Sequence, residues 1–247
     1  MKVIKCLFFL LCLSSCIVDD PVKLILNDNI TLLDELEGKN FITDAVIACA
    51  ANDIDNTDLL NVYFYPETGA TNFKFYETNI FNVDPNNFEN YVLLNIEDEP
   101  FLDGTLRQFK RSFNREQWII VTYELNDRIN ISTPIRTKNV LQPTLWTDEV
   151  MINQDQTGMP SFDWTAHSEA NNAIFFEIVT TVNDTVLSAT YTNDSEFQYY
   201  NLNNVVLNIT EGTPEGLEPG EIFNITIMDV SIDNWVNTVY KREFIAE

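Results

Sequence analysis

Trp118-Ile119-Ile120-Val121-Thr122-Tyr123-Glu124-Leu125, followed by Asn126-Asp127 and then by Arg128 to Thr133, decides the fold class of this chain. β-Branched and aromatic side chains crowd the first run, Asn-Asp supplies a turn, and a second β-rich run returns; this pattern predicts a hairpin. The same grammar extends in both directions. Val62-Tyr63-Phe64-Tyr65 stops at Pro66-Glu67-Thr68-Gly69, Asn72 to Tyr76 alternates around Phe73 and Phe75, and Tyr91 to Ile96 forms another run. Asn139 to Pro143 marks a boundary, with Pro143 and Pro160 framing Thr144 to Met159. Beyond it, Phe162 to Thr165, Ile174 to Thr180, Val186 to Thr192, Phe197 to Asn201, Val205 to Ile209, Glu221 to Asp229 and Trp235 to Phe244 recur between turn signals such as Asn183-Asp184 and Pro219-Gly220. That spacing suits a β-sandwich, and no long amphipathic helix competes with it.

The segment after Leu102 can be read two ways. Leu102, Leu106, Phe109 and Phe113 recur at helical spacing, whereas a strand places Arg107, Phe109, Arg111, Phe113 and Arg115 on one face. Strand is preferred, because the neighbours are strands and Gly104-Thr105 weakens a helix start. Half of the 14 basic residues fall between Arg107 and Lys138, and they are expected to neutralise acidic neighbours on adjacent strands.

Composition bounds the function. A formal net charge of −24 would repel phosphate backbones, so nucleic acid is excluded as a partner. Apolar content of 45% and aromatic content of 12% exclude a disordered acidic tail. At the N-terminus, Lys2 and Lys5 precede an apolar core from Ile4 to Leu13, and Leu13-Ser14-Ser15-Cys16 closes it, the layout of a cleaved secretory signal and not of a membrane span. The tetrapeptide resembles the lipobox of bacterial lipoproteins. That resemblance implies cleavage after residue 15, lipid on Cys16, and a cell-envelope address, with the outer membrane favoured because position 17 is Ile and not Asp. Two or three acyl chains suffice for a stable anchor. Asp19-Asp20 resembles the acidic export tract of Bacteroidetes surface lipoproteins. Residues 16–39 read as a lipid-anchored stalk with a short edge strand at its end.

Phe162-Asp163-Trp164 resembles the second-strand tryptophan of fibronectin type III domains, and Leu217-Glu218-Pro219-Gly220-Glu221-Ile222-Phe223 resembles their Leu-x-Pro corner, with Phe223 in place of the usual tyrosine. Phe197 to Tyr200, Asn204 to Thr210 and Asp233 to Asn237 resemble uncharacterised two-domain lipoproteins of flavobacteria. The expected architecture is all-β: two tandem Ig-like or fibronectin type III-like sandwiches, at 40–140 and 141–247. Trp118 and Trp164 are expected in cores, while Trp146 and Trp235, nearer to loops, are candidates for exposed or interdomain aromatics.

Candidate chemistry is sparse. His167 is the single histidine, so multi-histidine zinc sites and relays are excluded, and no Gly-x-Ser-x-Gly elbow or glycine-rich phosphate loop occurs. Cys49 follows Ala45-Val46-Ile47-Ala48 and reads as a structural thiol. Asp53-Ile54-Asp55-Asn56-Thr57-Asp58, with Asp53, Asp55 and Asp58, offers oxygen side chains that could wrap calcium, but the glycine and distal glutamate of an EF-hand are missing, so a solvated loop is favoured. Asp184-Thr185-Val186 resembles the short O-glycosylation acceptor of Bacteroidetes, on an expected hairpin tip. No metal and no cofactor is expected. The reading is a non-catalytic binding, adhesion or scaffold module with a protein or glycan partner; a glycan-binding accessory of polysaccharide uptake is the alternative, and a sandwich hydrolase the more distant one.

Overall fold

The computed structural model describes residues 26–112, 115–166, 172–210 and 212–247. Cys16, Phe113 and His167 lie outside the described residues. The first half contains β1 (Leu26–Thr31), α1 (Leu32–Leu36), β2 (Phe41–Asn52), β3 (Leu59–Tyr65), β4 (Thr71–Thr78), β5 (Tyr91–Leu94), β6 (Asp98–Phe101), β7 (Leu106–Ser112), β8 (Trp118–Leu125), β9 (Arg128–Ser132) and β10 (Ile135–Arg136). The second half contains β11 (Leu145–Thr147), β12 (Val150–Asn153), β13 (Ser161–Trp164), β14 (Asn172–Thr181), β15 (Val186–Thr192), β16 (Glu196–Gln198), β17 (Val205–Asn208), β18 (Ile222–Ser231) and β19 (Val236–Ile245). The fold is all-β, as the sequence predicts, and its strands form sandwiches.

β2 organises the first sandwich. Phe41, Ile42 and Val46 run parallel to β9, and Ile47 to Asn52 then pair antiparallel with β3. Within the first stretch, between Ile42 and Val46, Asp44 sits at φ 57, and there the register with β9 shifts just before the chain passes to the other sheet. The outer sheet therefore runs β1-β5-β4-β8-β9-β2, with β10 on β8, and the inner sheet runs β2-β3-β7-β6. Leu60, Val62, Phe64, Phe75, Phe109, Val121 and Ile135 fill the space between them. Phe64 and Phe109 stack at 5.3 Å. Pro134, lacking an N–H, separates β9 from β10.

β7 is a strand, so the helical spacing after Leu102 was coincidental. Phe109 points into the core, while Arg111 reaches across to Glu77 on β4 through two hydrogen bonds of 3.1 Å. Arg107 pairs with Asp98, Lys110 with Glu99, Arg136 with Glu116 and Lys138 with Asp233. The basic segment thus neutralises acids on neighbouring elements.

Residues 26–36, read from sequence as part of the stalk, belong to the folded body. β1 pairs with β5, and the single turn of α1 is closed by a capping box between Thr31 and Asp34. Leu32 and Leu36 are buried against Tyr76, Tyr91, Ile120 and Ile131 on the outer face of the outer sheet. Leu32 and Leu36 thus cover that face, while Leu33 between them is exposed. Trp118 lies only partly buried at this layer, stacked on Phe81 at 6.0 Å and donating to the Phe81 carbonyl.

The second sandwich sets a sheet ordered β11-β19-β18-β14-β15-β17 against a sheet ordered β12-β13-β16. Chain crossings from β13 to β14, β15 to β16 and β16 to β17 give it Greek-key connectivity. Phe162, Trp164, Phe175, Phe197, Ile225, Tyr240 and Phe244 form its core. Trp164 is 4% exposed and meets Phe175 edge-on at 5.1 Å, as the resemblance implies. Phe223 is buried beside Phe244, so packing replaces the hydroxyl bond of a tyrosine corner. Leu217 donates to the Gly158 carbonyl at 2.8 Å. Gly158 is required there: its φ is +68, and a Cβ would approach the Leu217 oxygen to 2.8 Å.

The inner sheets of the two sandwiches pack face to face. Ala51, Tyr63 and Leu106 meet Phe176, Ile178, Tyr191, Met228, Val230, Val236 and Val239 in a third apolar layer, with Cys49, Tyr65, Phe101 and Trp146 at its margins.

Candidate functional site

The contact between the sandwiches is closed at one end by a latch. The β18–β19 turn inserts Trp235 into the core of the first sandwich, where it is fully buried beside Val46, Ala50 and Ile135. Ala50 N donates to the Asn234 carbonyl at 3.0 Å, Arg136 N to the Asp233 carbonyl at 2.9 Å, and Lys138 pairs with Asp233 at 2.8 Å. The connection between the halves is fastened to the same place. Asn52 N donates to Thr144 Oγ1 at 3.0 Å, Thr144 N to Asn52 Oδ1 at 3.1 Å, and Thr144 Oγ1 to the Val236 carbonyl at 2.8 Å. Trp235 Nε1 and Trp146 Nε1 donate to the carbonyls of Gln142 and Asn52. Both tryptophans with uncertain placement in the sequence therefore serve the joint. Trp235 is among the largest fully buried side chains, and no sequence pattern within one half could show that its core belongs to the other.

Away from the latch the sandwiches part into a cleft of about 940 Å³. One wall is built by Tyr65, the Glu67–Ala70 turn, Phe73 and Arg107; the other by the β14–β15 hairpin, Tyr199 and the Pro214–Glu218 strap. Gly69 and Gly104 lie in turns on one rim and Pro214 and Gly216 in the irregular strap on the other, so no strand pairing closes the walls here. Tyr65 and Phe73 keep part of their surfaces open, and Glu67, Glu215 and Glu218 are exposed. Arg107 is engaged by Asp98 and lies 5.1 Å over the Phe73 ring. The lining is aromatic below and acidic at the mouth. Pockets of this size hold ligands through apolar floors and a few polar contacts. Sequence reasoning did not assemble this site, because its parts lie on turns, strand ends and a strap far apart along the chain.

Other sequence candidates are placed as follows. Asp53 accepts from Asn61 Nδ2 at 3.0 Å and from the amides of Asp55 and Asn56, and the Asn61 bond leads the effects that lower its pKa. The loop is thus folded on its own hydrogen bonds, and among the described residues no cluster of three potential metal ligands occurs. Cys49 is a partly buried margin residue of the interdomain layer, and burial pushes its thiol up to about 12. It is a neutral thiol at physiological pH. Thr185 is exposed at the β14–β15 turn.

Glu177 carries chemistry that the sequence reading missed. It is fully buried on β14 between Phe175 and Val179, on the face toward the second sandwich's core. Thr192 Oγ1 and Thr190 Oγ1 donate to its carboxyl at 2.9 and 3.3 Å. Burial nonetheless raises its pKa well above the ordinary carboxylate value. The signal was a glutamate in the middle of the apolar run Ile174 to Thr180.

No family model matches the chain, and no curated protein matches it. Among solved structures it is similar to the chicken CNTN1 FN1–FN3 domains, at 10% identity and a TM-score of 0.30, covering 84% of this chain and 67% of that one. It is also similar to the chicken interferon gamma receptor alpha chain, at 11% identity and 0.23, covering 81% and 96%. A further neighbour is the fibronectin(III)-like modules of Clostridium thermocellum CbhA, at 10% identity and 0.24, covering 85% and 90%. The sandwich assignment rests on the strand pairing.

Proposed function

We propose that the chain is a cell-envelope lipoprotein, held to the membrane by lipid on Cys16, and that it acts as a non-catalytic binding, adhesion or scaffold module. The observation that carries this reading is the interdomain cleft, with walls fixed relative to one another by the Trp235 latch. A fixed cleft presents its contacts without an ordering cost on binding, which favours recognition. Among the described residues no helix is long and apolar enough to cross a membrane, so the anchoring reading rests on the Leu13-Ser14-Ser15-Cys16 pattern. The protein or glycan partner would meet aromatic faces at the floor and carboxylates at the mouth. A strong positive charge on that partner would help it approach a chain of net charge −24.

The alternative of an accessory that binds long glycans calls for a flat row of exposed aromatics. The tryptophans make none: Trp164 is in a core, Trp146 and Trp235 are in the joint, and Trp118 is on the outer sheet. Two measurements test the proposal. Palmitate-analogue labelling should mark the wild-type protein and fail on Cys16→Ala; label in the variant contradicts the anchor. Cross-linking in intact cells should capture a partner that Thr68→Trp, at the exposed cleft rim, no longer holds. Unchanged capture by that variant contradicts the cleft as the binding site.

A further inference from the structure

A second pocket, of about 250 Å³, opens between the two sandwiches, separate from the large cleft. Its lining is unlike that of the cleft. Amides converge there from both sandwiches: Asn61 on β3, Gln108 on β7 and Asn224 on β18. Trp146 and Phe101 supply aromatic surface. The indole is held by its bond to the Asn52 carbonyl, and Phe101 packs on Tyr63 at 4.7 Å. Lysines 110 and 241 offset aspartates 53 and 184 in the formal charge of the lining, and Lys110 is itself paired with Glu99. One group is unsatisfied: Asn61 is 4% exposed, its Nδ2 is spent on Asp53, and its Oδ1 has no hydrogen-bond partner among the described residues.

From these features we infer that this pocket binds a single neutral saccharide residue. An orphaned buried acceptor carries a cost that a donor from a ligand removes. Gln108 Nε2 donates to Glu99 at 2.7 Å and leaves its oxygen as an acceptor, while Asn224 can both donate and accept, which matches hydroxyl groups that do the same. Balanced charge disfavours an ionic ligand, and an aromatic face beside polar groups fits a ring that is apolar on one side and hydroxylated at its edge. The volume lies just under the range of drug-sized sites, which suits one sugar ring and not a polymer. The inference is independent of the large cleft, because the two pockets share no lining residue.

The test uses the full chain in detergent, with glucose, galactose, mannose and N-acetylglucosamine as probes and saturation-transfer NMR and tryptophan fluorescence as readouts. At least one probe should give saturable transfer and change the fluorescence. Asn224→Ala and Lys241→Ala, both on the pocket wall, should weaken it tenfold or more with unchanged thermal unfolding, while Thr68→Trp in the large cleft leaves it unaltered. Three results would overturn the inference: no saturable transfer from any probe, which marks the pocket as holding water only; affinity insensitive to both wall variants; or loss of binding through Thr68→Trp, which would move the sugar to the cleft.

Discussion

The two ends of the interdomain contact are built from opposite materials. At the latch, a fully buried indole and a net of hydrogen bonds join the sandwiches directly. At the cleft, turns replace strands, aromatic surfaces stay partly open and carboxylates face solvent. The difference teaches how one interface can be both hinge-free and receptive. Side chains that pack fix the angle between the sandwiches, and residues relieved of packing are available for a partner.

The sharpest way to break this comparison is Trp235→Ala. It removes a large side chain from the first sandwich's core and the anchor of the second sandwich's turn, and should cost about 3–5 kcal/mol. Trp164→Ala should cost a similar amount but leave the halves coupled, so that probes in both report one shifted transition, whereas Trp235→Ala separates them. Denaturant titration with probes in each half distinguishes them. A Trp235→Ala protein as stable as wild type would mean that the latch does not hold the body together.

A second test concerns the sheet that forms one wall of the interface. Glu177 keeps its proton in the fold at pH values where the unfolded chain, with an ordinary glutamate near 4.3, has lost it. The native state then binds more protons, so stability falls as pH rises above the unfolded value and continues to fall until the raised folded pKa is passed. The slope should approach about 1.4 kcal/mol per pH unit, and Glu177→Gln should remove it. Glu35 and Glu99 have lowered values through their lysine partners, so their contribution is lost at more acid pH, below the Glu177 window. Identical pH profiles for the variant and the wild type would contradict the buried, neutral Glu177.

Smaller effects separate the latch from the cleft. Asn52→Ala deprives Thr144 N of its acceptor and should cost about 1–3 kcal/mol. The pair Glu215→Gln and Glu218→Gln, at the exposed mouth, should change stability by about 0.5 kcal/mol or less. A large loss from the glutamine pair would show that the mouth is structural.

The strands were legible because alternation and turn residues act over a few positions. Trp118 to Leu125, Phe162 to Trp164 and the Leu217 to Phe223 corner all fold as their local patterns require. The pairing of halves was not legible. Trp235 sits among Asn, Asp and Val in a turn-like sequence, and only the geometry of the β18–β19 turn carries it into a core contributed by residues 46–135. The burial of Leu32 and Leu36 was not legible in the 16–39 stretch for the same reason: the face that they cover comes from β4, β5, β8 and β9, far along the chain. Both pockets depend on such distant contacts, so their residues carried no shared signal.

The central claim is that the latch makes the two sandwiches one cooperative body with a cleft of fixed shape. Differential scanning calorimetry of the intact chain tests it most directly. The intact chain should show a single transition whose calorimetric and van't Hoff enthalpies agree, resolved into two by Trp235→Ala. Two separate transitions in the wild-type protein, unaltered by Trp235→Ala, would contradict it.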